Sequence, residues 1–108
     1  MSTIRIRTKP QGSKTLLRIM IEHPMETGRR KDDATGLLVP AHYITELCIE
    51  HNGAPVIQST LTTAVSRNPY FSFRLGKTRV GDRLRISWKD NRGGGDTLES
   101  LIDHDSSS

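Results

Sequence analysis

Residues 42–61, HYITELCIEHNGAPVIQSTL, carry the pattern that decides the fold. Residues 42–50 alternate between two faces, as a β-strand does. One face carries Tyr43, Leu47 and Ile49, and the opposite face carries Ile44, Glu46, Cys48 and Glu50. The Asn52-Gly53 dipeptide favours the two positive φ angles of a type I′ turn, which predicts that residues 56–61 fold back as a second strand. A helix is possible over 42–50, but the β-branched residues and the adjacent turn favour a strand.

Period-two alternation on both sides of this hairpin predicts further strands. These are residues 4–7, 14–22, 70–75, 84–89 and about 97–102, separated by turn residues at 10–13, 68–69, 80–82 and 90–95. Such a series predicts an all-β fold, an immunoglobulin-like antiparallel β-sandwich of about seven strands, with a small closed barrel as the alternative. The expected core is Leu17, Ile19, Ile21, Leu47, Ile49, Phe71, Phe73, Leu84, Ile86 and Trp88.

At 108 residues the chain is long enough for one domain with one core. We expect the domain to span residues 1–103 and residues 104–108 to form a disordered tail. The N-terminal residues lack the apolar core of a secretory signal, and no run approaches the roughly 20 apolar residues of a membrane span. By these features alone the chain is expected to be soluble and cytosolic, with no membrane partner.

Residues 23–40, HPMETGRRKDDATGLLVP, fit neither a regular strand nor a long helix. Pro24 lacks a backbone donor, while Gly28 and Gly36 permit left-handed backbone around a run of charges. A connection of roughly 18 residues is uncommon in a compact domain unless it is functional or disordered. One interpretation is a solvated loop or bent hairpin, and the other is a loop that docks a partner.

The sequence offers little support for catalysis or for a cofactor. The four histidines, His23, His42, His51 and His104, are scattered and have no zincin spacing, so no metal site is predicted. Cys48-Ile-Glu-His51 is similar to part of a blue-copper loop, yet no methionine follows at the expected distance. Cys48 also lacks a neighbouring base and is expected on the outer or partner-facing side of a sheet. The glycines at 93–95 predict a flexible turn, since a strand, not a helix, should follow them.

The charge balance favours acidic partners. Lys and Arg number 16 against 12 Asp and Glu, which gives a formal net charge of +4. Arg5, Arg7, Lys9 and Arg18, together with the three cations at 29–31, form a candidate basic face. Because single-strand binders need exposed aromatic residues between such charges and this chain has few aromatics outside the expected core, nucleic acid is the less favoured partner. An acidic protein surface would use the same arginines.

Six blocks of the sequence together carry a resemblance to a known family. They are Ile4-Arg-Ile-Arg, His23-Pro-Met-Glu-Thr-Gly with Arg30-Lys-Asp, Val39-Pro-Ala-His-Tyr-Ile, His51-Asn-Gly, Ser66-Arg-Asn-Pro and Trp88-Lys-Asp-Asn. In this order the blocks resemble the SoxZ family, one subunit of the SoxYZ carrier of sulfur compounds. The resemblance extends over nearly the whole chain, and it is most specific at residues 23–32 and 88–93. It implies an immunoglobulin-like sandwich.

The resemblance also implies a role and partners. The expected partner is a SoxY-like subunit whose C-terminal Gly-Gly-Cys-Gly-Gly arm carries covalently bound sulfur intermediates of thiosulfate oxidation, with other Sox enzymes as transient partners. This chain lacks that arm, so the resemblance implies a scaffold subunit that is not an enzyme and needs no cofactor. It implies a periplasmic location, reached by co-export with the partner. The alternative is a similar carrier, or an interaction module, in a quinoprotein dehydrogenase system.

We expect the loop at residues 23–33 to contact the partner or the visiting enzymes, because its cations can steer an acidic surface into place. The predicted partner-binding residues are Met25, Glu26, Thr27, Arg29, Arg30, Lys31 and Asp32.

Overall fold

The computed structural model describes residues 2–103 and contains seven β-strands. Their bounds are β1 Ile4–Gln11, β2 Lys14–Ile21, β3 Ile44–His51, β4 Ala54–Thr60, β5 Tyr70–Leu75, β6 Arg83–Asp90 and β7 Gly95–Leu101. The predicted tail, residues 104–108, lies outside the described residues. Between residues 2 and 103 there is no helix long and apolar enough to cross a membrane.

The strands form two antiparallel sheets, one with the order β1-β2-β5 and the other with the order β4-β3-β6-β7. An immunoglobulin constant-type sandwich places its fourth strand beside the fifth. Here β4 pairs with β3 instead, so the sheet that contains β1 has three strands and the sheet that contains β3 has four. The prediction of an all-β sandwich with about seven strands is confirmed, and the barrel alternative is wrong because the two sheets do not join.

The core lies between the sheets and follows the predicted alternation. Leu17, Ile19 and Ile21 from β2 meet Leu47, Ile49, Leu84, Ile86 and Trp88 from β3 and β6, and all are buried. Phe71 and Phe73 are only half-buried against this cluster, and Ile4, Met25, Leu75 and Ile102 join it.

One predicted face is wrong. The alternation predicts Ile44 on the outer face with Cys48, but Ile44 is fully buried. The reason is a shift in the pairing of β3 with β6 between Ile44 and Glu46, which reverses the direction of the side chains before it.

The turn after β3 has the predicted geometry, because Asn52 and Gly53 take φ angles of 51° and 86°. It pairs β3 with β4 as expected, although the pairing shifts again between Ile49 and Glu50. Such bulges twist a strand and leave the sheet intact.

Candidate functional site

The connection between β2 and β3, residues 22–43, is a bent hairpin and is called the β2–β3 loop here. Its two branches pair at Glu26 with His42 and at Lys31 with Leu38. The turn between the branches is stabilised by Asp32, whose carbonyl accepts a hydrogen bond from the backbone N–H of Gly36 and whose carboxylate accepts one from Ala34. Within this loop, residues 22–26 form the anchored half and residues 27–40 form the exposed half, and residues 41–43 lead into β3.

The anchored half leads into a buried cluster of His23, His42 and Asp90, called the His–Asp cluster here. Oδ2 of Asp90 lies 3.1 Å from Nε2 of His23 and 2.8 Å from Nε2 of His42. The two imidazole rings meet edge to face with centroids 4.5 Å apart, and the His23 ring meets Trp88 in the same way at 5.1 Å. The side chains of His23 and Asp90 are each 2% exposed, whereas that of His42 is 26% exposed, so the cluster is open to solvent only at His42.

The second oxygen of Asp90 binds the turn between β6 and β7. Oδ1 accepts hydrogen bonds from the backbone N–H groups of Gly94, at 2.7 Å, and Arg92, at 3.0 Å. A Cβ on Gly94 would lie 2.8 Å from Oδ2, and one on Gly95 would lie 2.7 Å from the carbonyl oxygen of Trp88. The glycines at 94 and 95 therefore permit close packing, a role that the prediction of a flexible turn missed.

Two asparagines hold the segments that carry the histidines. His23 donates its backbone N–H to Oδ1 of Asn68 and accepts from the Asn68 N–H, and Asn68 takes a positive φ of 51° to make both bonds. Asn91 donates through Nδ2 to the carbonyl of Ala41 and accepts the N–H of Tyr43 at Oδ1. The cluster therefore joins β2, β3, β6 and the β5 entry at one end of the sandwich.

The hydrogen bonds assign the protonation of His23. Its Nδ1 accepts the backbone N–H of Met25 at 3.1 Å, so Nε2 carries the ring proton and donates it to Asp90.

Burial lowers the pKa of His23, and the hydrogen bond to Asp90 only partly offsets this. Burial raises the pKa of Asp90, but the hydrogen bonds from both histidines and from Gly94 and Arg92 outweigh it and hold this pKa well below its usual range. At neutral pH the carboxylate is charged and His23 is neutral.

The same three residues form the one group between residues 2 and 103 whose ligand atoms approach closely enough for a metal ion, within 4.8 Å of one another. A metal at Nε2 of His23 would require the ring proton to move to Nδ1, where it would face the N–H of Met25. The tautomer that the backbone imposes therefore disfavours metal binding, and we interpret the cluster as structural.

The exposed half of the loop holds most of the predicted partner-binding residues. Arg30 pairs with Glu26 at 2.8 Å, and this hydrogen bond lowers the pKa of Glu26. Thr27 accepts the backbone N–H of Arg29, while Arg29 and Lys31 make no ion pair with any described residue. Two leucines nearby, Leu37 and Leu38, are 69% and 58% exposed.

Met25 differs from the other predicted contact residues, because its side chain is in the core and only 5% exposed. Its sulfur accepts the backbone N–H of Ile44 at 3.3 Å, and its φ is 49°. Met25 therefore anchors the loop to the sandwich and is not available on the surface.

Cys48 lies on the outer face of the four-stranded sheet, as its position in the alternation predicts. It is partly exposed, and its register partners are Gln58 and Ser87. These neighbours are polar, and Glu46 and Glu50 flank it along the strand. Cys48 is therefore partly accessible to solvent on this face of the sheet.

Sequence reasoning missed the His–Asp cluster, because its members are distant along the chain. One feature could have found it. Period two continues inward from Leu84 through Ile86 and Trp88 to Asp90, and a carboxylate at an inward position requires hydrogen-bond partners. A third histidine also pairs with an aspartate, because Nε2 of His51 lies 2.8 Å from Oδ2 of Asp82.

The fold and the site together define an immunoglobulin-like β-sandwich domain, one end of which is closed by a buried histidine–aspartate cluster. Residues 4–100 match the family described as sulphur oxidation protein SoxZ. Because the match covers most of the chain, this protein belongs to the SoxZ family and functions in sulfur oxidation. No curated protein matches the chain.

Proposed function

We propose that this chain is the non-catalytic scaffold subunit of a heterodimeric sulfur carrier in thiosulfate oxidation. Its partner would be a SoxY-like subunit, whose Gly-Gly-Cys-Gly-Gly arm carries the sulfur intermediates covalently. The observation that carries the proposal is the SoxZ match over residues 4–100. We place the heterodimer in the periplasm, reached by export together with the partner.

The structure supports a scaffold in a physical sense. A mobile arm delivers its cargo reproducibly only if the body that holds it is rigid. In this chain the buried histidine and carboxylate side chains of the His–Asp cluster are engaged with one another and with backbone groups, which stabilises one end of the sandwich. Buried polar networks that are fully hydrogen-bonded make a fold more specific and more rigid.

We further propose that the exposed half of the β2–β3 loop contacts the partner or the visiting enzymes. The contact residues would be Thr27, Arg29, Arg30, Lys31 and Asp32 of this half, together with Glu26 at its boundary with the anchored half. The exposed side chains of Leu37 and Leu38 lie in the same half of the loop as Arg29 and Lys31. This combination is similar to the usual composition of a protein interface, which has an apolar centre and a charged rim.

Reconstitution tests the proposal. Purified alone, the chain should show no thiosulfate-dependent turnover, and activity should appear only when its SoxY-like partner and the other Sox enzymes are added. Sedimentation of an equimolar mixture with the partner should show a stable heterodimer. Turnover by the isolated chain, or monomers only in the mixture, would contradict the scaffold role.

A further inference from the structure

The outer face of the three-stranded sheet carries an excess of positive charge. Six cations occupy outward positions on β1, β2 and β5, and we call this surface the basic face: Arg5, Arg7, Lys9, Lys14, Arg18 and Arg74. All six are exposed, and the three strands contain no Asp or Glu. The basic face therefore holds six of the 16 Lys and Arg residues of the chain.

Little within the chain neutralises these charges. Glu22, directly after β2, pairs with Arg5 at 3.1 Å, and none of the other five cations makes an ion pair with a residue among 2–103. Arg7 and Arg18 are register partners on adjacent strands, an arrangement that places like charges opposite each other and destabilises a sheet. Local arrangements that oppose stability are expected where a surface serves binding.

The basic face also has an apolar contact point. Met20 and Tyr70 are register partners, 41% and 55% exposed, and they line a shallow depression of about 380 Å³ together with Arg5, Arg7 and Arg18. An apolar pair surrounded by arginines is a composition that protein interfaces favour. Tyr70 is the one aromatic residue that projects outward from these three strands, so the face lacks the repeated aromatic platforms that bind single-stranded nucleic acid.

The size of the basic face favours a transient partner over a permanent subunit. Strands of 6 to 8 residues, at ~3.3 Å per residue and ~4.8 Å between strands, give a footprint of roughly 26 Å by 14 Å. To reach the ~800 Å² of accessible surface that each partner buries in a stable complex of standard size, a contact would have to extend beyond this flat footprint of the three strands. Charge-driven contacts of small area associate quickly and dissociate quickly.

We propose that the basic face docks an acidic surface on an enzyme that visits the carrier transiently. The acidic chemistry of the occupant follows from the basic face itself, whereas its being a visiting enzyme rests on the proposed function. The docked surface presents Asp and Glu side chains to the arginines and an apolar side chain to Met20 and Tyr70.

The first experiment uses the reconstituted heterodimer with matched variants. R7E/R18E reverses two cations on the basic face and keeps a like-charge pair at the same register positions. R83E/K89E makes the same change of charge on the outer face of the four-stranded sheet, where both residues are exposed. At low ionic strength R7E/R18E should reduce kcat/KM for the carrier about tenfold, with the deficit shrinking at high salt. The control should change it less than about twofold, and both variants should still form the heterodimer.

Three results would overturn the proposal. Loss of the heterodimer in R7E/R18E would make the basic face a subunit interface, and equal deficits in both variants would show an effect of net charge alone. Unchanged turnover, with binding of a single-stranded DNA of about 20 nucleotides that R7E/R18E abolishes, would assign the face to nucleic acid.

A second experiment separates failure of this proposal from failure of the proposed function. Poly-L-glutamate is titrated into the ¹⁵N-labelled chain, and backbone amide shifts are recorded. Shifts concentrated on β1, β2 and β5 are expected, even if the wild-type chain supports no reconstituted turnover. Shifts concentrated on residues 27–40 instead, or no shifts, would overturn the basic face as an acidic docking surface.

Discussion

The two halves of the β2–β3 loop are adjacent in sequence and opposite in physical character. In the anchored half, His23 and Met25 are about 4% and 5% exposed, and both are hydrogen-bonded to other segments. In the exposed half, the side chains of residues 29–38 face solvent, and the regular contacts are those that close the hairpin on itself. One continuous motif, residues 23–32, spans both halves.

The difference teaches that one motif can serve two purposes. Residues in the anchored half are required because they satisfy buried polar groups, and their replacement should act on stability. Side chains in the exposed half face solvent, so their replacement should have little effect on folding and should act on encounter with other proteins. Measurements of stability and of reconstituted turnover on variants therefore distinguish the two halves. The expected effects on stability range from large in the anchored half to small in the exposed half.

The largest effect is expected for Asp90→Ala. It removes the acceptor for the buried ring of His23, for the partly exposed ring of His42 and for two partly buried backbone N–H groups, which would leave these donors without that partner. Breaking such a buried charged network costs about 3–5 kcal/mol of the free energy of unfolding. Urea denaturation followed by Trp88 fluorescence would measure the loss.

Asp33→Ala in the exposed half is the matched control, since it deletes the same carboxylate from a solvent-exposed position. Its effect should stay within about 0.5 kcal/mol. Similar losses in the two variants would remove the distinction between the halves.

An intermediate effect is expected from pH. Since the pKa of folded His23 lies below its usual value of 6.5, the unfolded chain binds a proton more readily. The contribution of His23 to the free energy of unfolding should be complete above about pH 6.5. It should fall as the pH drops below this value, with a slope of at most ~1.4 kcal/mol per pH unit for one proton. Asp90, whose pKa lies below its usual 3.8, adds stability that is lost only at still more acidic pH.

Denaturation series from pH 8 to pH 5 test this expectation. His23→Gln should be less stable than the wild type at pH 8 but should show a flatter dependence on pH. Identical slopes for both proteins between pH 7 and pH 5 would mean that His23 is not the group that takes up the proton.

The sequence predicted the strands better than the site, for physical reasons. Alternation is local, so a single strand such as β2 shows its buried face directly, and Asn52-Gly53 specifies its turn without help from the rest of the chain. The bulge before Glu46 depends on pairing with β6 and leaves no local pattern. The His–Asp cluster joins residues 67 positions apart. The blocks that hold its members, residues 23–28, 39–44 and 88–91, carry the family resemblance, but nothing local in them indicates that they are in contact.

The smallest effect on stability is expected for reversal of the three cations Arg29, Arg30 and Lys31 to Glu. The ion pair of Arg30 with Glu26 is lost, but Arg30 is 60% exposed, and ion pairs between solvent-exposed side chains contribute little to stability. The melting temperature should therefore remain nearly unchanged. Reconstituted turnover should nevertheless slow at low salt, because charge at the exposed half accelerates encounter with an acidic surface and salt screens it. Turnover equal to wild type at low salt would reject a role of the exposed half in docking, whereas a large drop in melting temperature would show that this half is anchored too.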